Sequence, residues 1–179
     1  MGLHGDAMNQ DFLSSSKKWD WETPASDFDK INKVFGFRLD AAATKENSKC
    51  PEFITPEMDA FTIEWEPSPW FLNPPWGKEY TDLTGRTMLH WIYRIKEQVL
   101  GKHNAGVLLC AARTDTQWWQ EASSFCDYVL FPDHRIAYED RLRDKPSQPT
   151  FPSCYIIYYP LDPRQVFKLK NIGLLVKRV

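Results

Sequence analysis

Apolar positions along this chain fall into helical stripes and short strand-like runs. Phe28, Ile31 and Phe35 recur at helical spacing after Thr23-Pro24, and Gly36 closes the segment. Thr23 is placed to cap that helix, with Pro24 at its first position. Within Arg86–Leu100, Met88, Ile92, Ile95 and Val99 form a second stripe, followed by Gly101. A third helix is expected from a cap at Thr114 or Asp115 to about Ser124. Strands are expected at Phe37–Asp40, Trp70–Leu72, Gly106–Ala111, Asp127–Phe131 and Cys154–Tyr159. The prolines between residues 45 and 69 make that stretch irregular. Residues 77–85 read as a polar loop, residues 133–152 as a charged one, and the chain from Asp162 as a short basic tail. Strands alternating with helices, then a final strand pair, predict a three-layer α/β sheet.

Composition narrows the classes. The chain has 179 residues, 42% of them hydrophobic, which suits one domain. Residues 19–179 are expected to form it, after a polar N-terminal arm, residues 1–18, that lacks the apolar core of a signal peptide. A formal charge of −2 argues against broad phosphate neutralisation and leaves room for a local basic patch. Cys50, Cys110, Cys126 and Cys154 are scattered without metal-ligand spacing, so they read as reduced structural cysteines of a cytoplasmic protein, with no metal. No apolar run approaches the roughly 20 residues of a membrane span. The count of eight tryptophans exceeds what an average core needs.

Asn73-Pro74-Pro75-Trp76, at the end of the run Trp70-Phe71-Leu72, changes the picture most. This residue pattern suits transfer of a methyl group to an amino nitrogen conjugated to a planar group. The lone pair of such a nitrogen is delocalised, and acceptors aimed at its two N–H bonds favour the pyramidal form that frees it. The Asn73 side-chain oxygen is one such acceptor, and the Pro74 carbonyl, directed by two ring-locked φ angles, is the other. Trp76 offers a face for a planar base. The bland alternative is an extended turn closing a strand.

Several blocks in order extend the pattern: Asp20-Trp21-Glu22-Thr23-Pro24, Phe35-Gly36-Phe37 with Leu39–Thr44, the tetrad with Gly77, Ala111–Thr116 with Trp118-Trp119, and Phe131–Arg135. On these residues the chain resembles the bacteriophage DNA N-6-adenine methyltransferase family, small relatives of the Dam methylases. The resemblance covers about Trp19 to Tyr159. It implies a Rossmann-like three-layer methyltransferase fold, S-adenosylmethionine as cofactor, and adenine in double-stranded DNA as target. It places catalysis at Asn73, Pro74, Pro75 and Trp76. Cofactor contacts are expected at Trp21, Thr23, Pro24, Asp40, Ala41 and Ala42, where small side chains allow close backbone approach. Asp59, in an acid-plus-small pair with Ala60, is expected at the adenine end of the cofactor. Asp40 also reads as a helix cap.

Contacts with DNA are expected at Lys78, Arg86, Arg113, Arg135, Arg141 and Arg143. The mixed charge of the stretch holding Arg135, Arg141 and Arg143 reads equally as a solvated loop. Trp118-Trp119 reads as core packing ahead of base stacking. The family variant here lacks the Gly-x-Gly loop common in methyltransferases. No added recognition domain is visible, so specificity would come from short loops or a second subunit, or be low. A role in protecting phage DNA inside a bacterial host is the expectation by analogy. Two rivals stand beside this reading: methylation of an RNA amine or a protein glutamine, and a catalytically silent binding module of the same fold.

Overall fold

The computed structural model describes residues 22–75, 86–139 and 151–178. Seven strands, β1 (Leu39–Asp40), β2 (Glu52–Phe53), β3 (Trp70–Leu72), β4 (Gly106–Ala111), β5 (Tyr128–Pro132), β6 (Ser153–Tyr158) and β7 (Gly173–Lys177), join in one sheet. Its order is β2-β1-β3-β4-β6-β5-β7. The pairs along β2, β1, β3 and β4 are parallel, and those along β4, β6, β5 and β7 are antiparallel. Among the described residues four α-helices flank it: α1 (Ala25–Phe35), α2 (Met88–Lys96), α3 (Gln117–Ser124) and α4 (Pro163–Lys170).

Strand side chains alternate between the two faces, as the pleat requires. Trp70, Leu72, Leu108, Cys110, Cys154, Ile156 and Tyr158 pack with Ile92, Ile95 and Ala122 of α2 and α3. Phe71, Val107, Leu109, Tyr155 and Ile157 pack with Phe28, Ile31, Phe35 and Leu169 of α1 and α4. Helices on both faces of one sheet give the three-layer α/β architecture expected from the sequence. At the register Trp70↔Gly106 the indole lies flat over the glycine, and a Cβ there would sit 2.0 Å from it. Trp70 is also fixed by its Nε1–H donating to the Asn104 carbonyl at 3.0 Å and by an edge contact with Trp65.

The helices differ from expectation in detail. α1 begins one residue after Pro24, whose carbonyl takes the Asp27 and Phe28 N–H groups. Thr23 therefore lies outside the helix and does not cap it. Gly36 ends α1 in the left-handed region, φ 65°, which a residue without Cβ adopts freely. α2 continues as a π-helical turn, Glu97–Gly101, that buries Gln98 against the Trp65 N–H.

Two segments hold more structure than their sequence suggested. Glu52-Phe53, in the stretch read as irregular, pairs with the outer edge of β1. The segment read as a basic tail forms α4 and β7. Asp162 caps α4 by accepting from the Arg164 and Gln165 N–H groups, with Pro163 in the first turn, and β7 pairs with β5 over five residues. Among the described residues no helix is long and apolar enough to cross a membrane.

The strand order locates the site. The chain leaves β1 toward β2 on one side and leaves β3 toward β4 on the other. In such sheets ligands usually sit at this switch point, outside the carboxyl ends of the strands, here β1 and β3. Asp40–Ala42 and Asn73–Pro75 leave the sheet at those two ends.

Candidate active site

Asn73 follows the last residue of β3, with Pro74 buried and Pro75 half-buried behind it. Its side-chain Nδ2 donates to the Thr23 hydroxyl at 3.2 Å, a bond spanning fifty residues of sequence. Thr23 is 3% exposed. It is held by the ring-fixed residue after it and by a two-bond bridge before it, in which the Glu22 and Glu139 backbones exchange N–H···O=C bonds of 3.0 Å.

Ala41 donates its N–H to the Phe71 carbonyl at 2.8 Å, so the alanine run starts beside the strand that delivers Asn73. No residue from Ala41 to Thr44 has a positive φ. This turn needs no glycine. Asp40 is 4% exposed, and its carboxylate accepts from the Lys49 N–H at 3.1 Å and from the Ala42 N–H. Burial outweighs these bonds and pushes its pKa up to about 6. Asp40 thus ties the loop after β1 to the strand end and caps no helix. The donor set fits the methionine end of S-adenosylmethionine: a buried carboxylate beside a run of small side chains.

Asp59 and Arg86, expected on cofactor and on DNA respectively, meet each other. Arg86 forms two bonds to the Asp59 carboxylate, at 2.6 and 3.0 Å, and its guanidinium lies 4.2 Å from the centre of the Phe61 ring. The Arg86 bond holds the Asp59 carboxyl below its usual range. Asp59 itself sits at φ 57°, a region acidic and amide side chains tolerate better than most. Its loop is fastened by a residue sequence reasoning missed. Arg94, 8% exposed within α2, donates from Nε to the Ala60 carbonyl at 3.0 Å and from Nη2 to the Ile63 carbonyl. A charge inside an apolar helical stripe was the available signal.

The stretch after β5, read as a charged loop, is partly core. Ile136 and Tyr138 are 1% and 0% exposed, and the Tyr138 hydroxyl bonds the Ser153 hydroxyl at 2.9 Å. His134 contacts Asp133 at 2.8 Å through Nδ1 and Asp27, in the first turn of α1, at 2.6 Å through Nε2. These two carboxylates raise its pKa, Asp133 most. His134 and Asp27 were not among the expected site residues; 107 positions of sequence hid the pairing.

Arg113 and Arg135 are exposed, and the Arg113 guanidinium lies 4.8 Å from the Phe151 ring centre. Trp118 and Trp119 pack against the core on the α2–α3 face, the reading preferred for them over base stacking. All four cysteines are buried and free. No group of three metal-ligating side chains occurs among the described residues. A cavity of about 500 Å³ between α1 and α4, lined by Lys30, Lys33, Val34, Lys168, Asn171 and Ile172, shares no residue with the site. Trp21, Trp76, Lys78, Arg141 and Arg143 lie outside the described residues.

The structure therefore brings Thr23, Pro24, Asp40–Ala42 and Asn73–Pro75 to one end of the sheet, at its topological switch point. The sequence model of the DNA N-6-adenine-methyltransferase (Dam) family matches residues 11–176. The chain belongs to this family. A relative named DNA N-6-adenine-methyltransferase, from Haemophilus phage HP1 (strain HP1c1), is 24% identical over 168 residues, covering 90% of this chain and 92% of its own length. The family match extends through α4 and most of β7, past Tyr159, so the basic segment is part of the family domain.

Proposed function

We propose that this protein transfers the methyl group of S-adenosylmethionine to the exocyclic amine of adenine in double-stranded DNA. The observation that carries the reading is the placement of Asn73, amide nitrogen tied to Thr23, beside the Asp40–Ala42 turn at the switch point of the sheet. When bound, S-adenosylmethionine supplies an activated methyl group. Asp40, Ala41 and Ala42, with Pro24, would hold its amino-acid portion, while the Thr23 hydroxyl, expected there from the sequence, is committed to Asn73. Asn73 Oδ1 and the Pro74 carbonyl would accept the two amine N–H bonds of adenine, directing its lone pair at the methyl carbon. That alignment asks for no general base, since the amine loses its proton after it gains the methyl group.

Adenine inside a duplex cannot reach Asn73, so it would leave the stack at a cost of a few kcal/mol and rest on the face of Trp76. Exposed Arg113 and Arg135, with Lys78, Arg141 and Arg143, are the side chains assigned to the DNA backbone. Arg86 is withdrawn from that set by its bond to Asp59 and is assigned to shaping the cofactor side of the site. Modification of phage DNA against host restriction, in the bacterial cytoplasm, is the biological role this reading favours. The test is incubation of wild type with labelled S-adenosylmethionine and, separately, DNA, RNA and protein. N-6-methyladenine in DNA supports the reading; label in RNA or protein alone overturns it. Calorimetric titration with S-adenosylmethionine separates an enzyme from a silent module, which would show no binding.

A further inference from the structure

We infer that Thr23 is the positioning residue that holds the Asn73 amide with its oxygen turned toward the substrate. The inference rests on the proposed methyl transfer for its catalytic meaning and on geometry for its substance. An asparagine side chain is nearly symmetric in shape and opposite in chemistry at its two ends: the oxygen accepts, the nitrogen donates. Turned the wrong way, Asn73 would present N–H groups to the N–H groups of the substrate amine.

Thr23 holds the orientation in which the oxygen is free to accept. Its hydroxyl lies 3.2 Å from Asn73 Nδ2 and occupies the nitrogen end of the amide, which turns Oδ1 to the opposite side. Thr23 as a residue is 3% exposed, so water reaches its hydroxyl poorly. It is also held in place from both directions. Upstream, the Glu22–Glu139 bridge anchors the preceding residue with two backbone bonds. Downstream, Pro24 fixes φ, and Asp27, four residues on, is bound to His134 at 2.6 Å. A capping threonine would spend its hydroxyl on the N–H groups of the first helical turn. Here Pro24 starts α1 without a side-chain cap, which leaves the Thr23 hydroxyl to Asn73.

Thr23→Val, which removes the hydroxyl and keeps the branched shape, and Thr23→Ser, which keeps the hydroxyl, test this. Thr23→Val should lower kcat about tenfold, the scale of one orienting hydrogen bond, with Kd for S-adenosylmethionine within about twofold of wild type. Thr23→Ser should restore kcat to within about twofold. Equal kcat for wild type and Thr23→Val overturns the inference; so does a parallel loss of kcat and cofactor affinity that Thr23→Ser fails to rescue. A second readout needs no turnover. In a 15N-labelled protein, the Asn73 side-chain NH₂ resonances, assigned by their loss in Asn73→Ala, should be slow to exchange in wild type and Thr23→Ser, and fast in Thr23→Val. Unchanged exchange in Thr23→Val overturns the inference even if wild type proves inactive on DNA, and inactivity alone overturns only the proposed substrate.

Discussion

Replacing Asp40 with Asn should make the protein more stable at neutral pH, with a pH dependence that can be worked out beforehand. Asp40 is 4% exposed, and burial raises its pKa from 3.8 to about 6. Between those two values the folded protein holds a proton that the unfolded chain has released. Stability therefore falls as pH rises through the window, and the loss is complete above about pH 6. A difference of two pKa units or slightly more, at 1.36 kcal/mol each, makes the full penalty about 3 kcal/mol.

Asp40→Asn carries no such charge. Below pH 4 the wild-type group is protonated when folded and nearly matches Asn in shape, so any cost of mispaired bonds to Lys49 and Ala42 appears there by itself. The quantity to measure is the change in the stability difference between pH 4 and pH 7, from urea denaturation followed by tryptophan fluorescence. It should move toward the variant by about 2 to 3 kcal/mol. A flat difference, or a shift toward wild type, would mean that the Lys49 and Ala42 N–H groups fully compensate the buried charge. The same variant should bind S-adenosylmethionine more weakly at pH 7, since the charge kept at this cost is the one assigned to the ligand.

Three further outcomes follow from single contacts. Gly106→Ala should cost at least about 1–3 kcal/mol in thermal or urea unfolding, because the new Cβ would meet the Trp70 indole at 2.0 Å; a neutral effect would contradict the packing at the base of the tetrad strand. His134 gains stability from its charged form, since Asp133 and Asp27 raise its pKa above 6.5. That contribution is complete below pH 6.5 and is lost as pH rises through the folded-state value, so the deficit of His134→Gln should shrink on going from pH 6 to pH 9, as read by thermal unfolding. Arg86→Ala should leave the salt dependence of DNA binding unchanged, because that guanidinium is committed to Asp59 and Phe61; a slope reduced by about one would return it to the DNA-binding set.

The sequence made the tetrad, the alanine run and most strands legible because each is local. Asn73 needs only the apolar strand before it and the prolines after it to be noticed, and Gly36 announces the end of α1 by itself. Partners far apart in the chain stayed hidden. Thr23 carried the signature of a helix cap, yet its hydroxyl serves Asn73 fifty residues away. Asp59 and Arg86 looked like ligands for two different molecules because their mutual bond depends on how the loop after β2 folds toward α2. Strand β2 is two residues long, too short for any periodicity. The α4–β7 segment had local signals, an Asp162-Pro163 start with Gln165 in place for a capping box and the run Leu174-Leu175-Val176, but its basic residues made it read as a tail.

The most direct test of the central claim is methyl transfer from labelled S-adenosylmethionine to unmethylated duplex DNA, wild type beside Asn73→Ala, with the nucleosides identified by mass. Wild type should yield N-6-methyladenine, and the variant less than about a tenth of that rate, a loss above about 1.4 kcal/mol, with cofactor affinity retained. Comparable product from both proteins, or none from a wild type that binds the cofactor, would contradict it.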